Sequence, residues 1–197
     1  MQWTPIPYPT QSFAGQTIIV TSSKMSLGLE ATRHFARLNA SKVILACRSI
    51  SKGEAAARWI EESTGRKGVC KVSQIDIENF DSIKEFAKRA VKLERLDVVV
   101  ENARFVSRHY ELMEGMESII AVNVVGTFLL ALNLLLVLRK LGKKHSFLLR
   151  LGIASSEIQI WVSNSTLEQY KTCEQRLVIW FRRLRWRSGT GILFSKN

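Results

Sequence analysis

Four short apolar runs, each separated from the next by an amphipathic stretch, constrain this chain more than any other feature. Thr17–Val20, Lys42–Ala46, Gly68–Ile75 and Leu96–Val100 carry the β-branched and apolar residues of buried strands. Between them, Gly28–Leu38, Ser51–Glu62 and Asp81–Lys92 space their apolar residues at helical intervals. Short continuous runs joined by helices imply a parallel sheet covered on both faces, the doubly wound α/β class. Ser51, with Glu54 three residues on, reads as a capping box; Asp81 or Ser82 reads as the cap of the third helix. Met113–Leu141 holds a long helix and Ser146–Ile153 reads as a further strand. After Ser156 the alternation stops, although Val178–Phe181 has strand character.

The turn between the first strand and the first helix carries the chemistry. Thr21-Ser22-Ser23-Lys24-Met25-Ser26-Leu27-Gly28 joins the two. In a nucleotide-binding βα turn, glycines make the bend, admit phosphate and allow close helix packing, and the helix N-terminus faces a pyrophosphate. Here Gly28 supplies the packing position, and Ser22 and Ser26 occupy the others. Where such a turn requires a left-handed backbone, a serine costs about 1 kcal/mol relative to glycine. Lys24 adds a positive charge beside the site. The class is thus a Rossmann-type parallel sheet.

Ligands of open parallel sheets lie beyond the C-terminal strand ends. Arg48 follows the second strand, where an acidic residue suits the ribose of NAD and a basic one the 2′-phosphate of NADP. Asp76 follows the third strand and Asn102 the fourth. Taken alone, each of these side chains is equally a surface arginine, a helix cap or a turn residue.

Together these pieces resemble the short-chain dehydrogenase/reductases over about residues 12–160. Ser12-Phe13-Ala14-Gly15-Gln16, and Ala46-Cys47-Arg48-Ser49 followed by Lys52-Gly53-Glu54, are similar to a fungal, retinol-dehydrogenase-like subgroup. The family's T-G-x-x-x-G-x-G falls on Thr21–Gly28 and its N-N-A-G on Glu101–Arg104. The resemblance implies cofactor contacts at Lys24, Leu27, Gly28, Arg48, Asp76 and Asn102, with NADP(H) as cofactor and no metal. It implies a catalytic serine at Ser156, which polarises the carbonyl, and a catalytic asparagine at Asn123, which holds a proton-relay water. The proton donor falls on Tyr170. It further implies oxidoreduction of a small carbonyl or alcohol in fungal secondary metabolism, and a homodimer through the 114–141 helix.

Two departures accompany the match. Arg104 stands where the family has glycine, and Glu174 stands four residues after Tyr170 where the family has lysine. That lysine lowers the phenol's ordinary pKa of about 10; a carboxylate raises it. Lys171, one residue on, points about 100° away on a helix. Residues 161–197 read as a divergent basic tail after a 1–160 dinucleotide-binding unit, with the sheet incomplete on its C-terminal side. A frameshift or retained intron after Trp161, or a deletion, would produce such a tail.

The net charge of +12 favours phosphate-bearing ligands or polyanions. The tail run Arg182-Arg183-Leu184-Arg185-Trp186-Arg187 mixes cations and aromatics, but it stands alone, so nucleic acid and membrane are not expected partners. Ile119–Leu138 is uncharged and long enough to span a bilayer; the βα alternation around it favours a core helix instead. Three scattered cysteines and a polar, proline-punctuated N-terminus point to a reducing, cytoplasmic setting. Three functions fit: an NADP(H)-dependent reductase, a truncated and catalytically inert relative with or without nucleotide binding, and a basic interaction module acting through the tail.

Overall fold

The computed structural model describes residues 10–107, 109–145 and 150–154. Its centre is a sheet of five parallel strands, in spatial order Cys70–Gln74, Lys42–Cys47, Thr17–Thr21, Val98–Glu101 and Arg150–Ile153. The strands are β1 (Thr17–Thr21), β2 (Lys42–Cys47), β3 (Cys70–Gln74), β4 (Val98–Glu101) and β7 (Arg150–Ile153), with the small hairpin β5 (Leu112–Met113) and β6 (Met116–Glu117) between the last two in sequence. In-register pairs run from Thr17 opposite Lys42 to Thr21 opposite Ala46, and from Ile18 opposite Val98 to Val20 opposite Val100. The chain builds outward from β1 through β2 to β3, then returns to β4 on the other side of β1. That reversal is the switch point where open α/β sheets bind ligands.

The helices are α1 (Ser26–Arg37), α2 (Ile50–Thr64) and α3 (Phe80–Val91). A fourth helical stretch begins as α4 (Ser118–Ile120), widens to a π-helix over Ala121–Gly126 and continues as α5 (Thr127–His145). Strand residues alternate between two apolar layers. Ile19, Ile44 and Val99 join Phe86, Leu130 and Leu134 of α3 and α5 on one face. Ile18, Val20, Val43 and Leu45 join Ala36, Ala56 and Ile60 of α1 and α2 on the other. A sheet with helices packed on both faces is the doubly wound arrangement expected from the sequence.

The span Ser118–Leu141 is long and apolar enough to cross a membrane. Leu130, Leu134, Val137, Leu138 and Leu141 recur at helical spacing and are buried against the sheet, whereas Leu132 and Leu136 are 61% and 67% exposed. The stripe is that of a core helix with one outward apolar face.

Three local expectations are corrected. Ser49, not Ser51, caps α2: its hydroxyl accepts from the Lys52 amide, and Ser51 already lies within the helix. Asn79, not Asp81 or Ser82, caps α3, accepting from the Ser82 amide at 2.8 Å, while Asp81 sits in the first turn where its charge favours the helix dipole. The long helix held in 113–141 does not fill that span. Glu114 and Gly115 both take positive φ, 53° and 78°, which closes a two-residue hairpin before the helical stretch starts at Ser118. Ser156, Tyr170, the possible strand at Val178–Phe181 and the basic tail lie outside the described residues.

Candidate functional site

The ends of β1, β2 and β4 are laced together by the turn that opens the site. Thr21 is fully buried, and its hydroxyl accepts from the Asn102 amide at 2.9 Å and the Ala103 amide at 3.1 Å. The Ser22 amide donates to the Ala46 carbonyl at 2.9 Å. Ser22 and Ser26 have φ of 54° and 51°, so both serines occupy the left-handed backbone that glycine would take without cost. Within this turn, Gly28 has no room for a side chain. A Cβ there would lie 2.5 Å from the Ser22 carbonyl oxygen and 2.7 Å from the Asn102 Nδ2. The missing Cβ lets the turn close over Asn102.

The α1 N-terminus follows directly. Its N-cap, Met25, offers no side-chain hydrogen bond, and its first turn carries no acidic residue. Amides at a helix start without a side-chain cap carry partial positive charge and suit an anion.

A cleft of about 300 Å³ opens beside this turn. Ser22, Lys24 and Met25 form one wall; Cys47 and Arg48 from the end of β2, and Asp76, Ile77 and Glu78 from the end of β3, form another; Ala103, Arg104, Phe105 and Val122 close the third side. Lys24, Arg48 and Asp76 thus come together as the sequence predicts. Gly28 and Asn102 sit beneath the turn and shape it. Leu27 does not line the cleft; its side chain is 77% exposed on the first turn of α1.

The wall after β3 is held from two sides. The Asp76 carboxylate accepts from the Glu78 amide at 3.1 Å, and the Asp76 amide donates to the Ser82 hydroxyl at 2.9 Å. From behind, Gly126 of the π-helical segment abuts Ile77: a Cβ at Gly126 would stand 2.8 Å from the Ile77 carbonyl oxygen. The Glu78 carboxylate meets the Arg48 guanidinium, Nη1 to Oε2, at 2.8 Å. Sequence reasoning missed both Glu78 and Gly126. Glu78 was findable from its place two residues after Asp76; Gly126 reads in sequence only as an interruption in a greasy helix.

Asn123 lies on the π-helical segment and reaches the opposite wall. Its Oδ1 accepts from the Phe105 amide at 2.8 Å, and its Nδ2 donates to the Phe105 carbonyl at 2.7 Å. The amide group thereby clamps the loop that carries Ala103, Arg104 and Phe105 into the cleft.

Two buried groups near the site are electrostatically distinctive. Glu101, at the end of β4, is 3% exposed, and neither of its carboxyl oxygens has a hydrogen-bond partner among the described residues. Burial alone pushes its pKa up to about 8, so it is mostly protonated at neutral pH. Cys47 is also buried; burial raises its thiol, and the Lys24 charge only partly opposes the shift. Its Sγ donates to the Ser49 carbonyl, which fits a structural thiol better than a nucleophile. Among the described residues, no group of three His, Cys, Asp or Glu side chains converges as a metal site.

Comparison with known proteins places this arrangement. The pattern of the short chain dehydrogenase family matches residues 16–145. A short chain dehydrogenase of Gibberella zeae is 40% identical over 157 residues, which cover 79% of this chain and 46% of that protein. The short chain dehydrogenase atnD of Emericella nidulans is 50% identical over 134 residues, covering 68% of this chain and 43% of its own length. The chain therefore spans less than half the length of these two relatives. Among solved structures, a short chain dehydrogenase from Escherichia coli complexed with NADPH superposes with a TM-score of 0.65 at 26% identity, covering 86% of this chain and 70% of that one. One from Shigella flexneri complexed with NADP gives 0.62 at 27% identity, covering 77% and 63%.

Proposed function

The chain belongs to the short chain dehydrogenases, and from that premise we propose that its strand-end cleft binds NADP(H) for oxidoreduction of a small carbonyl or alcohol. The observation that carries the proposal is the pairing of the turn that closes on Gly28 with Arg48 on the facing wall of the cleft. The donor set fits the cofactor. The α1 N-terminus suits a pyrophosphate, Arg48 suits a 2′-phosphate, and Asp76 offers a carboxylate to the adenine side. When bound, a nicotinamide supplies or accepts hydride.

The chain's own residues do the positioning. Thr21 ties the phosphate turn to β4, Gly126 backs the Asp76–Glu78 wall, and Asn123 fixes the Phe105 loop. Ser156 as carbonyl polariser and Tyr170 as proton donor belong to the same proposal, as does a role for Asn123 beyond its clamp on Phe105. Relatives in Gibberella and Emericella support a setting in fungal secondary metabolism. The outward face of α5 with Leu132 and Leu136 is the surface for a homodimer.

One observation favours a second reading, in which the cofactor binds without turnover: Glu174 stands four residues after Tyr170, where the family carries lysine. A carboxylate there opposes the ionisation that proton transfer through the phenol requires. The experiment is NADPH binding followed by turnover. Saturable binding with NADPH oxidation by any member of a panel of aldehydes and ketones supports the enzyme; binding with no oxidation supports the inert reading; no binding refutes both.

A further inference from the structure

The Arg48–Glu78 pair stands at the cleft rim, with side chains 58% and 29% exposed. Both residues line the cleft, one from the end of β2 and one from the end of β3. Glu78 is not a loose surface carboxylate. Its amide is held by Asp76, and the preceding residue, Ile77, rests against Gly126. The turn therefore fixes the backbone from which Glu78 reaches Arg48.

This placement matters for selectivity. A ribose 2′-phosphate seeks the guanidinium that Glu78 already engages, and it brings close to two negative charges beside a carboxylate. A free 2′-hydroxyl brings no charge and has a proton to donate to that carboxylate. Arg48 and Glu78 thus pull the preference in opposite directions. Lys24 and Arg104 line the same cleft and add positive charge in either case.

We propose that Glu78 is a specificity-determining residue, which competes with the 2′-phosphate for Arg48 and accepts from the 2′-hydroxyl, so that the site takes both NADP(H) and NAD(H). The inference rests on the nicotinamide-dinucleotide reading of the cleft. Glu78 contributes through ground-state binding of the adenosine end, so its effect lies in the ratio of affinities and not in a catalytic rate.

The test titrates the full chain and its Glu78→Gln variant with NADPH and NADH, with Glu78→Ala as a second variant and circular dichroism as a control for folding. Glu78→Gln is expected to tighten NADPH about fivefold, the upper range for release of an exposed ion pair, while NADH binding holds or weakens. The gain shrinks as salt screens it, and adding Arg48→Gln abolishes it. Equal shifts for both cofactors, or no shift in either, overturn the inference while leaving the nucleotide site standing. Failure of the folded wild type and variants to bind either cofactor overturns the nucleotide reading and this inference with it.

Discussion

Replacing Ser22 and Ser26 with glycine is expected to stabilise the protein. Both serines hold φ near 50°, with 54° at Ser22 and 51° at Ser26. A residue with a Cβ costs about 1–2 kcal/mol in that region. Glycine returns about 0.4–1 kcal/mol of this through the greater freedom of its unfolded chain. The net gain is about 0.5–1 kcal/mol per site, or about 1–2 kcal/mol for the pair, since neither hydroxyl has a described hydrogen bond to lose. In a domain of this size that raises Tm by about 3–6 °C. Thermal unfolding followed by circular dichroism, supported by urea titration, measures it. Lys24→Gly in the same turn is the control; Lys24 is not among the positive-φ residues, so this change brings no gain. If the double variant melts at or below the wild-type temperature, or if Lys24→Gly gains as much, the strain argument is wrong.

Gly28→Ala should act in the opposite direction. Its methyl group would press on the Ser22 carbonyl and the Asn102 amide, costing about 3 kcal/mol and removing nucleotide binding, both read by melting and titration. Asn123→Ala leaves the Phe105 amide and carbonyl without partners, and a loss of about 2 kcal/mol in urea or thermal unfolding is expected. Glu101 gives a pH signature. Its pKa stands at about 8 in the folded state against an ordinary glutamate value of 4.5, so the folded form holds the proton more tightly. The associated stability is fully present below 4.5, is lost as pH rises, by up to about 1.4 kcal/mol per unit, and levels off above 8. Glu101→Gln should flatten the fall in Tm between pH 5 and 8, and an unchanged slope would refute the assignment.

How much of this was legible in the sequence depended on the range of the interaction. The strands were readable because a buried parallel strand needs a continuous apolar run, and Ile18, Ile19 and Val20 leave no alternative. The cleft residues Lys24, Arg48 and Asp76 were readable because they follow strand ends. Caps were less so: Ser49 and Ser51 are both good caps, their hydroxyls lie 3.2 Å apart, and only the backbone decides between them. The 113–141 stretch hid a hairpin because Glu114, a good helix former, takes a left-handed backbone that its type does not advertise, and its carboxylate is held by the Phe80 amide from α3. Gly126 and Glu78 were not assigned because their roles depend on contacts with Ile77 and Arg48, far away in sequence.

The central claim is that the cleft holds NADP(H) through the Gly28 turn and Arg48. Its most direct test is the melting temperature of the full chain with and without millimolar NADPH, run beside Gly28→Ala and Arg48→Gln. Ligand that binds only the folded chain at a hundredfold excess over Kd adds about 2.7 kcal/mol, a rise of several degrees. That rise is expected in the wild type, a smaller one in Arg48→Gln and none in Gly28→Ala. An unmoved wild-type melting temperature, or the same rise in all three proteins, contradicts it.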